Sequence, residues 1–182
     1  MPVRLLAAAG VLLALGGRAA AGGKDPPPYV DRTAGFQVLV PAGWQPVTLA
    51  EPPREVLLLC ANDATGQVFV VSKIVGPSEG IEKDPKPFLA GVEQGIKNKS
   101  TGYKRISAKQ RSLGRVRKVP GWDLWFRVER DGKPVTMAAR FLFFRGYAIS
   151  VMVDAPARAQ RKEARRIVES FGPIDPVAPA PR

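Results

Sequence analysis

Residues 121–153 read GWDLWFRVERDGKPVTMAARFLFFRGYAISVMV, and this stretch decides the fold. Trp122, Leu124, Phe126 and Val128 alternate with Asp123, Trp125, Arg127 and Glu129. A period of two places the first set on one face of a strand and the second set on the other. Asp131-Gly132 follows, a pair suited to the positive-φ positions of a tight hairpin turn. Val135 to Phe144 then runs back, Arg145-Gly146 turns the chain again, and Tyr147, Ile149, Val151 and Val153 share one face of a third strand. Parallel neighbours would need long crossovers, so connections this short predict an antiparallel meander.

Upstream, strand signals continue. Phe36, Val38 and Val40 alternate with Gln37 and Leu39 until Pro41-Ala42-Gly43 breaks the run. Val56 to Ala61 is continuously apolar, as in a strand buried on both faces. Gln67 to Val75 forms another strand across the turn-like segment Asn62 to Gly66. Asp84-Pro85 predicts a helix start, after which Phe88, Leu89, Val92 and Ile96 make an apolar stripe at helical spacing. Gly91 and Gly95 weaken that helix, and close approach to the sheet is the expected compensation. A second helix is expected from Asp154-Ala155-Pro156 to just before Gly172. Its stripe is Ala157, Ala164, Ile167, Val168 and Phe171, with Arg158, Arg161, Lys162, Arg165 and Arg166 facing water. The order is three strands, a helix, four strands and a helix. The predicted class is α+β, an α/β/α sandwich with a largely antiparallel sheet of about six to seven strands and two main helices on opposite faces.

The ends differ from this middle. Arg4, the apolar run Leu5 to Gly16 and Ala19-Ala20-Ala21 have the three parts of a signal peptide over residues 1–21. About 12 apolar residues fall short of the roughly 20 that span a bilayer. Residues 22–28 read as a Gly/Pro linker, 29–172 as one domain, and 173–182 as a disordered proline-rich tail. Cleavage after Ala21 would leave 26 basic and 16 acidic residues, a net charge of +10, in a periplasmic or secreted protein. Cys60 is the only cysteine, which excludes an internal disulfide, and its apolar surroundings predict a buried thiol.

Tyr29, Gly35-Phe36, the short alternating strand and Pro41-Ala42-Gly43-Trp44 resemble the opening of PsbP-like domains, a group that includes bacterial exported proteins of the PsbP/DcrB type. The closing Ile167-Val168-Glu169-Ser170-Phe171 is similar to the last helix of the same family. The resemblance covers most of residues 29–172. It implies a non-catalytic accessory or binding role and carries over no functional residue, since members of one fold bind different partners.

The 182 residues include no histidine, which removes the usual zinc sites and the commonest general base. Ser72-Lys73 is the remaining candidate for an activated nucleophile, but neighbours on a strand point to opposite faces. Glu79, Glu82 and Asp84 crowd one loop, interleaved with Lys83 and Lys86, at a spacing that matches no calcium loop. No catalytic residue, metal site or cofactor is therefore expected. The distinctive chemical feature is a run of nine cations without an acid: Lys97, Lys99, Lys104, Arg105, Lys109, Arg111, Arg115, Arg117 and Lys118. Export and the presence of only Tyr103 among these cations argue against nucleic acid. An envelope protein, anionic lipid or acidic cell-wall polymer fits the compartment better. The alternative is that the charges solvate a helix end and a strand edge. Trp44, after its Pro-x-Gly turn, is expected in the core. Trp125 lies either under a helix or on an exposed binding surface. The sequence thus supports a binding or accessory module at the bacterial cell envelope, then a binder of anionic surfaces, and least of all a hydrolase.

Overall fold

A computed structural model describes residues 26–75, 80–81, 83–115, 118–144 and 146–174. In chain order its elements are β1 (Tyr29–Asp31), β2 (Phe36–Val38), β3 (Gln45–Pro46), β4 (Val56–Asn62), β5 (Gln67–Val75), α1 (Lys86–Lys99), β6 (Thr101–Leu113), β7 (Val119–Arg130), β8 (Lys133–Phe144), β9 (Tyr147–Ala155), α2 (Gln160–Ser170) and β10 (Gly172–Pro173). Residues 1–21, where the signal peptide is expected, Arg117 of the basic run, and Glu79 and Glu82 lie outside the described residues.

The quoted meander is the middle of the main sheet. β7, β8 and β9 pair in sequence, and Asp131 and Gly132 take φ of 52° and 70° in the expected hairpin turn. β9 then pairs with β5, which gives a seven-stranded antiparallel sheet in the order β3-β4-β5-β9-β8-β7-β6. The alternation read from the sequence divides β8 between two cores. Ala138 and Leu142 face α2, with Phe69, Val71, Ile149, Val151 and Val153 around them. Val135, Met137, Ala139, Phe141 and Phe143 face α1, where they meet Leu89, Val92 and Ile96. The two helices therefore cover opposite faces, and the fold is the α+β sandwich expected. Trp44 is 5% exposed, its ring 5.2 Å from that of Phe69, so it is a core residue.

Several local expectations change. Phe36 to Val40 does not join the main sheet: β2 lies in a separate three-stranded sheet between β1 and β10. That sheet joins the first and last strands of the described residues, and Phe36 packs on Phe171 with ring centroids 5.6 Å apart. Pro173, expected to open the tail, is instead paired with Phe36, and the Ile174 N–H donates to the Gly35 carbonyl at 3.1 Å. β4 is buried on one face only, through Leu58 and Cys60, while Leu57 and Leu59 are half-buried. The reason is that α1 packs over β7 and β8 and leaves the outward face of β4 partly open. α2 starts later than Asp154, because that residue lies within β9 and its oxygens are already engaged. Oδ1 accepts the Val68 N–H at 2.8 Å, Oδ2 accepts Arg130 at 3.1 Å, and the carbonyl accepts Gln67 Nε2 at 2.8 Å. Ala157 consequently precedes the helix and is exposed. Gly91 makes no close approach either: a Cβ added there would meet nothing within 4 Å.

Candidate functional site

α2 packs over β8 and β9, so the same face of β7 and β6 is left as a shelf beside it. The sheet register determines which side chains stand on that shelf. Lys104 lies opposite Arg127, Ser107 opposite Trp125, Lys109 opposite Asp123 and Arg111 opposite Gly121. Facing residues of paired strands share a face, so the shelf carries a row of cations around Trp125. A groove of about 440 Å³ opens between this shelf and α2. Lys109 and Arg111 line it from β6, Arg161 and Arg165 from α2, and Trp125, Ile106 and Val168 supply its apolar surface. The Arg165 guanidinium sits 5.8 Å from the centroid of the half-buried Trp125 ring, so Trp125 is both under the helix and part of the groove.

One buried network fixes the distance between the two walls. Asp123 points from β7 toward α2 and accepts Arg140 Nε at 2.6 Å and Nη2 at 3.0 Å. Arg140 Nη1 also donates to the carbonyls of Glu169 and Phe171, at 3.0 and 3.1 Å, at the end of α2. Those are carbonyls that a helix end leaves without intrahelical partners. Arg111 Nε, from β6, reaches the same carboxylate at 2.7 Å. Asp123 thus links α2 to the edge strand, and its negative charge is spent on two guanidiniums.

The sheet divides the basic run instead of gathering it. Lys109 and Arg111 enter the groove, and Lys104 stands further along the same shelf. Arg105 turns to the α1 side and pairs with Glu93 at 3.1 Å. Lys97 lies on that side too, its ammonium 5.3 Å from the Tyr103 ring centroid. Lys118 donates to the Gly114 carbonyl at 2.8 Å, and Lys99 and Arg115 are exposed. Arg161 and Arg165 complete the groove although they lie well beyond the run in sequence. Their i, i+4 spacing on one face of a helix was the only sequence signal for them.

The other candidates hold no comparable geometry. Ser72 and Lys73 are neighbours on β5, and the Lys73 ammonium lies 4.6 Å from the Tyr147 ring centroid. Cys60 is fully buried, and burial pushes its thiol up to about 12, far from the thiolate a nucleophile needs. Asp84 Oδ1 accepts the Lys86 N–H at the start of α1. Among the described residues no cluster of three or more potential metal ligands occurs, and no helix is long and apolar enough to cross a membrane.

No family model matches the chain, and no curated protein matches it in sequence. Solved structures do. Cyanobacterial PsbP (CyanoP) from Synechocystis sp. PCC 6803 is similar over 88% of this chain and 99% of its own, with a TM-score of 0.62 and 17% sequence identity. The fold is PsbP-like. A protein from Bacteroides thetaiotaomicron VPI-5482 shares it at a TM-score of 0.52 and 15% identity, over 82% of this chain and 48% of its own. At such identities the likeness is one of fold, and the cations of the PsbP-like domain described here must be judged from their own geometry.

Proposed function

We propose that this chain is an exported, non-catalytic binding or accessory module of the cell envelope that holds an anionic partner in the groove between β6 and α2. The observation that carries the reading is the convergence of Lys109, Arg111, Arg161 and Arg165, from two distant parts of the sequence, on one concave surface. Two acids also line it: Asp123, which is paired with Arg111 and Arg140, and Glu169, so cations remain in excess. A concave site floored by an aromatic ring and rimmed by a few polar groups is a common form of binding site. The signal-like sequence at residues 1–21 supports the compartment, and the lack of histidine and of a depressed thiol supports a role without chemistry.

The test is adsorption of the mature protein to phosphatidylglycerol vesicles and its capture of acidic proteins from envelope extract, each at low and high salt. Retention should fall as salt shortens the screening length from about 10 Å at 0.1 M to about 3 Å at 1 M. Lys109→Glu, Arg161→Glu and Arg165→Glu together should abolish retention. An equal charge change at Lys83, Lys86 and Lys133, all exposed and away from the groove, should leave most of it. Equal loss in both variants would mean that only net charge matters, and the groove would have no special part.

A further inference from the structure

We infer, building on that reading, that the anionic partner is an acidic polypeptide segment that pairs with β6 as an added strand. β6 is the long free edge of the sheet: 13 residues, paired with β7 on one side, with no strand on its other side among the described residues. At about 3.3 Å per residue it presents a row of backbone donors and acceptors roughly 40 Å long. The opposite edge is unsuited to this. β3 has two residues, and the second is Pro46, which has no N–H to donate.

Sheets protect exposed edges by keeping them short, by bulges, or by charge. β6 is not short. Its protection is two breaks in register and a charge of one sign: Lys104, Arg105, Lys109 and Arg111, with no acid anywhere from Thr101 to Leu113. Such an edge repels basic strands and makes neutral ones bury unpaired cations, but it complements an acidic strand, so the same charges that exclude most partners select one class.

The second of these breaks sharpens the selection. The pairing register shifts between Arg105, opposite Phe126, and Ser107, opposite Trp125. The extra residue is Ile106, which lines the groove and is 51% exposed. An isoleucine left in water between Lys104 and Lys109 has no role in solvating the edge. On the groove side β6 therefore presents, in order, Lys104, the bulge pair Ile106 and Ser107, then Lys109 and Arg111. On the other face Ala108, Gln110 and Ser112 are small or neutral, and the charge of Arg105 is already paired with Glu93. An added strand places alternate side chains opposite these positions. The matching segment is seven residues with acids at three alternate positions and an apolar residue at the fourth, while the intervening residues are free to vary. A phosphate polymer or lipid surface would meet the cations but would leave the edge amides and Ile106 unused.

The probe is a labelled peptide, Glu-Thr-Glu-Thr-Val-Thr-Glu with blocked ends, titrated with the mature protein by fluorescence anisotropy. Inorganic polyphosphate serves as a charge-only ligand. Binding of the peptide should weaken at least tenfold when alternate amides along its β6-facing edge are N-methylated, since side chains and charge are kept but strand pairing is lost. Lys104→Glu with Lys109→Glu should weaken it at least tenfold, and Ile106→Ser by a smaller factor. Hydrogen exchange should slow along β6 with the peptide and not with polyphosphate. Equal binding by methylated and unmethylated peptides overturns strand addition and leaves the anion-binding groove standing. Binding of polyphosphate with none of either peptide has the same meaning. If neither peptide, polyphosphate nor anionic vesicles bind, both readings fall.

Discussion

Replacing Arg140 by methionine tests the network that holds the groove together. Its side chain is 5% exposed, stands opposite Asp123 in the sheet and reaches the end of α2. The substitution keeps most of the volume and removes two bonds to Asp123 and two to the carbonyls of Glu169 and Phe171. Breaking a buried ion pair by removing one partner costs about 3–5 kcal/mol. Arg111 remains to pair with Asp123 at 2.7 Å, which lowers the cost, while the carbonyls left without partners raise it by about 1 kcal/mol or more each. The expected loss is about 4 kcal/mol, equivalent to roughly 8–16 °C in melting temperature for a domain of this size. Urea unfolding followed by tryptophan fluorescence measures it directly, and an unchanged denaturant slope would show that the native state is still intact. The informative partner is Asp123→Leu. Alone it strands the Arg140 charge, and it should cost at least as much as Arg140→Met. Together the two substitutions remove both buried charges, so the double variant should be more stable than the sum of the singles implies by about 1–3 kcal/mol. A loss below about 1 kcal/mol for Arg140→Met, or strict additivity, would mean that this network does not hold α2 to the sheet.

Three further outcomes follow from the core. Trp44→Ala should lower stability by about 3–5 kcal/mol, and a midpoint change near zero would show that the ring on Phe69 contributes no packing. Gly91→Ala should raise stability by about 0.5–1 kcal/mol, because a methyl there meets nothing within 4 Å and the helix gains propensity; a drop in melting temperature would reveal a contact the geometry does not contain. Cys60 should resist a thiol reagent at pH 8 until the protein unfolds. Burial pushes its thiol from an ordinary 9.0 up to about 12, so the stability it contributes is fully present below pH 9 and lost as pH rises through 12. Stoichiometric labelling of the native protein within minutes would contradict that burial.

The sequence was most legible where pattern and pairing coincide. The strand from Trp122 to Glu129 alternates so regularly, and Asp131-Gly132 suits its turn so well, that the meander follows from period and turn chemistry alone. The two buried stripes of β8 then require a helix on each face. It was least legible where one residue had two possible uses. Asp154-Ala155-Pro156 reads as a helix start, but long-range bonds from Val68, Gln67 and Arg130 claim Asp154 for the end of β9. A cap is a local preference worth about 1 kcal/mol, and three tertiary bonds outweigh it. Phe36 to Val40 was similarly ambiguous, since an alternating run shows that a strand forms and not which sheet receives it. Only its pairing with β1 and β10 places β2 in the small sheet.

The candidate site shows the same limit more sharply. The run of cations from Lys97 to Lys118 was plain in the sequence, but a strand sends successive side chains to opposite faces, so a contiguous run becomes two surfaces. Arg105 goes with Lys97 to the α1 side, and Lys109 goes with Arg111 to the groove. What the latter two meet there, Arg161 and Arg165, is set by the crossing of α2 over β8 and β9, which no local pattern encodes. The resulting edge has an asymmetry that a tally of charge misses. Pairing β6 with β6 of a second copy would set cation against cation at close range, where like charges destabilise a sheet. The side chains that disfavour its own kind are the ones that, on the proposed reading, select an acidic strand. On the proposed reading, solubility and recognition make the same demand on this strand, so the solvating role of its cations and their binding role would be one arrangement seen with and without a partner.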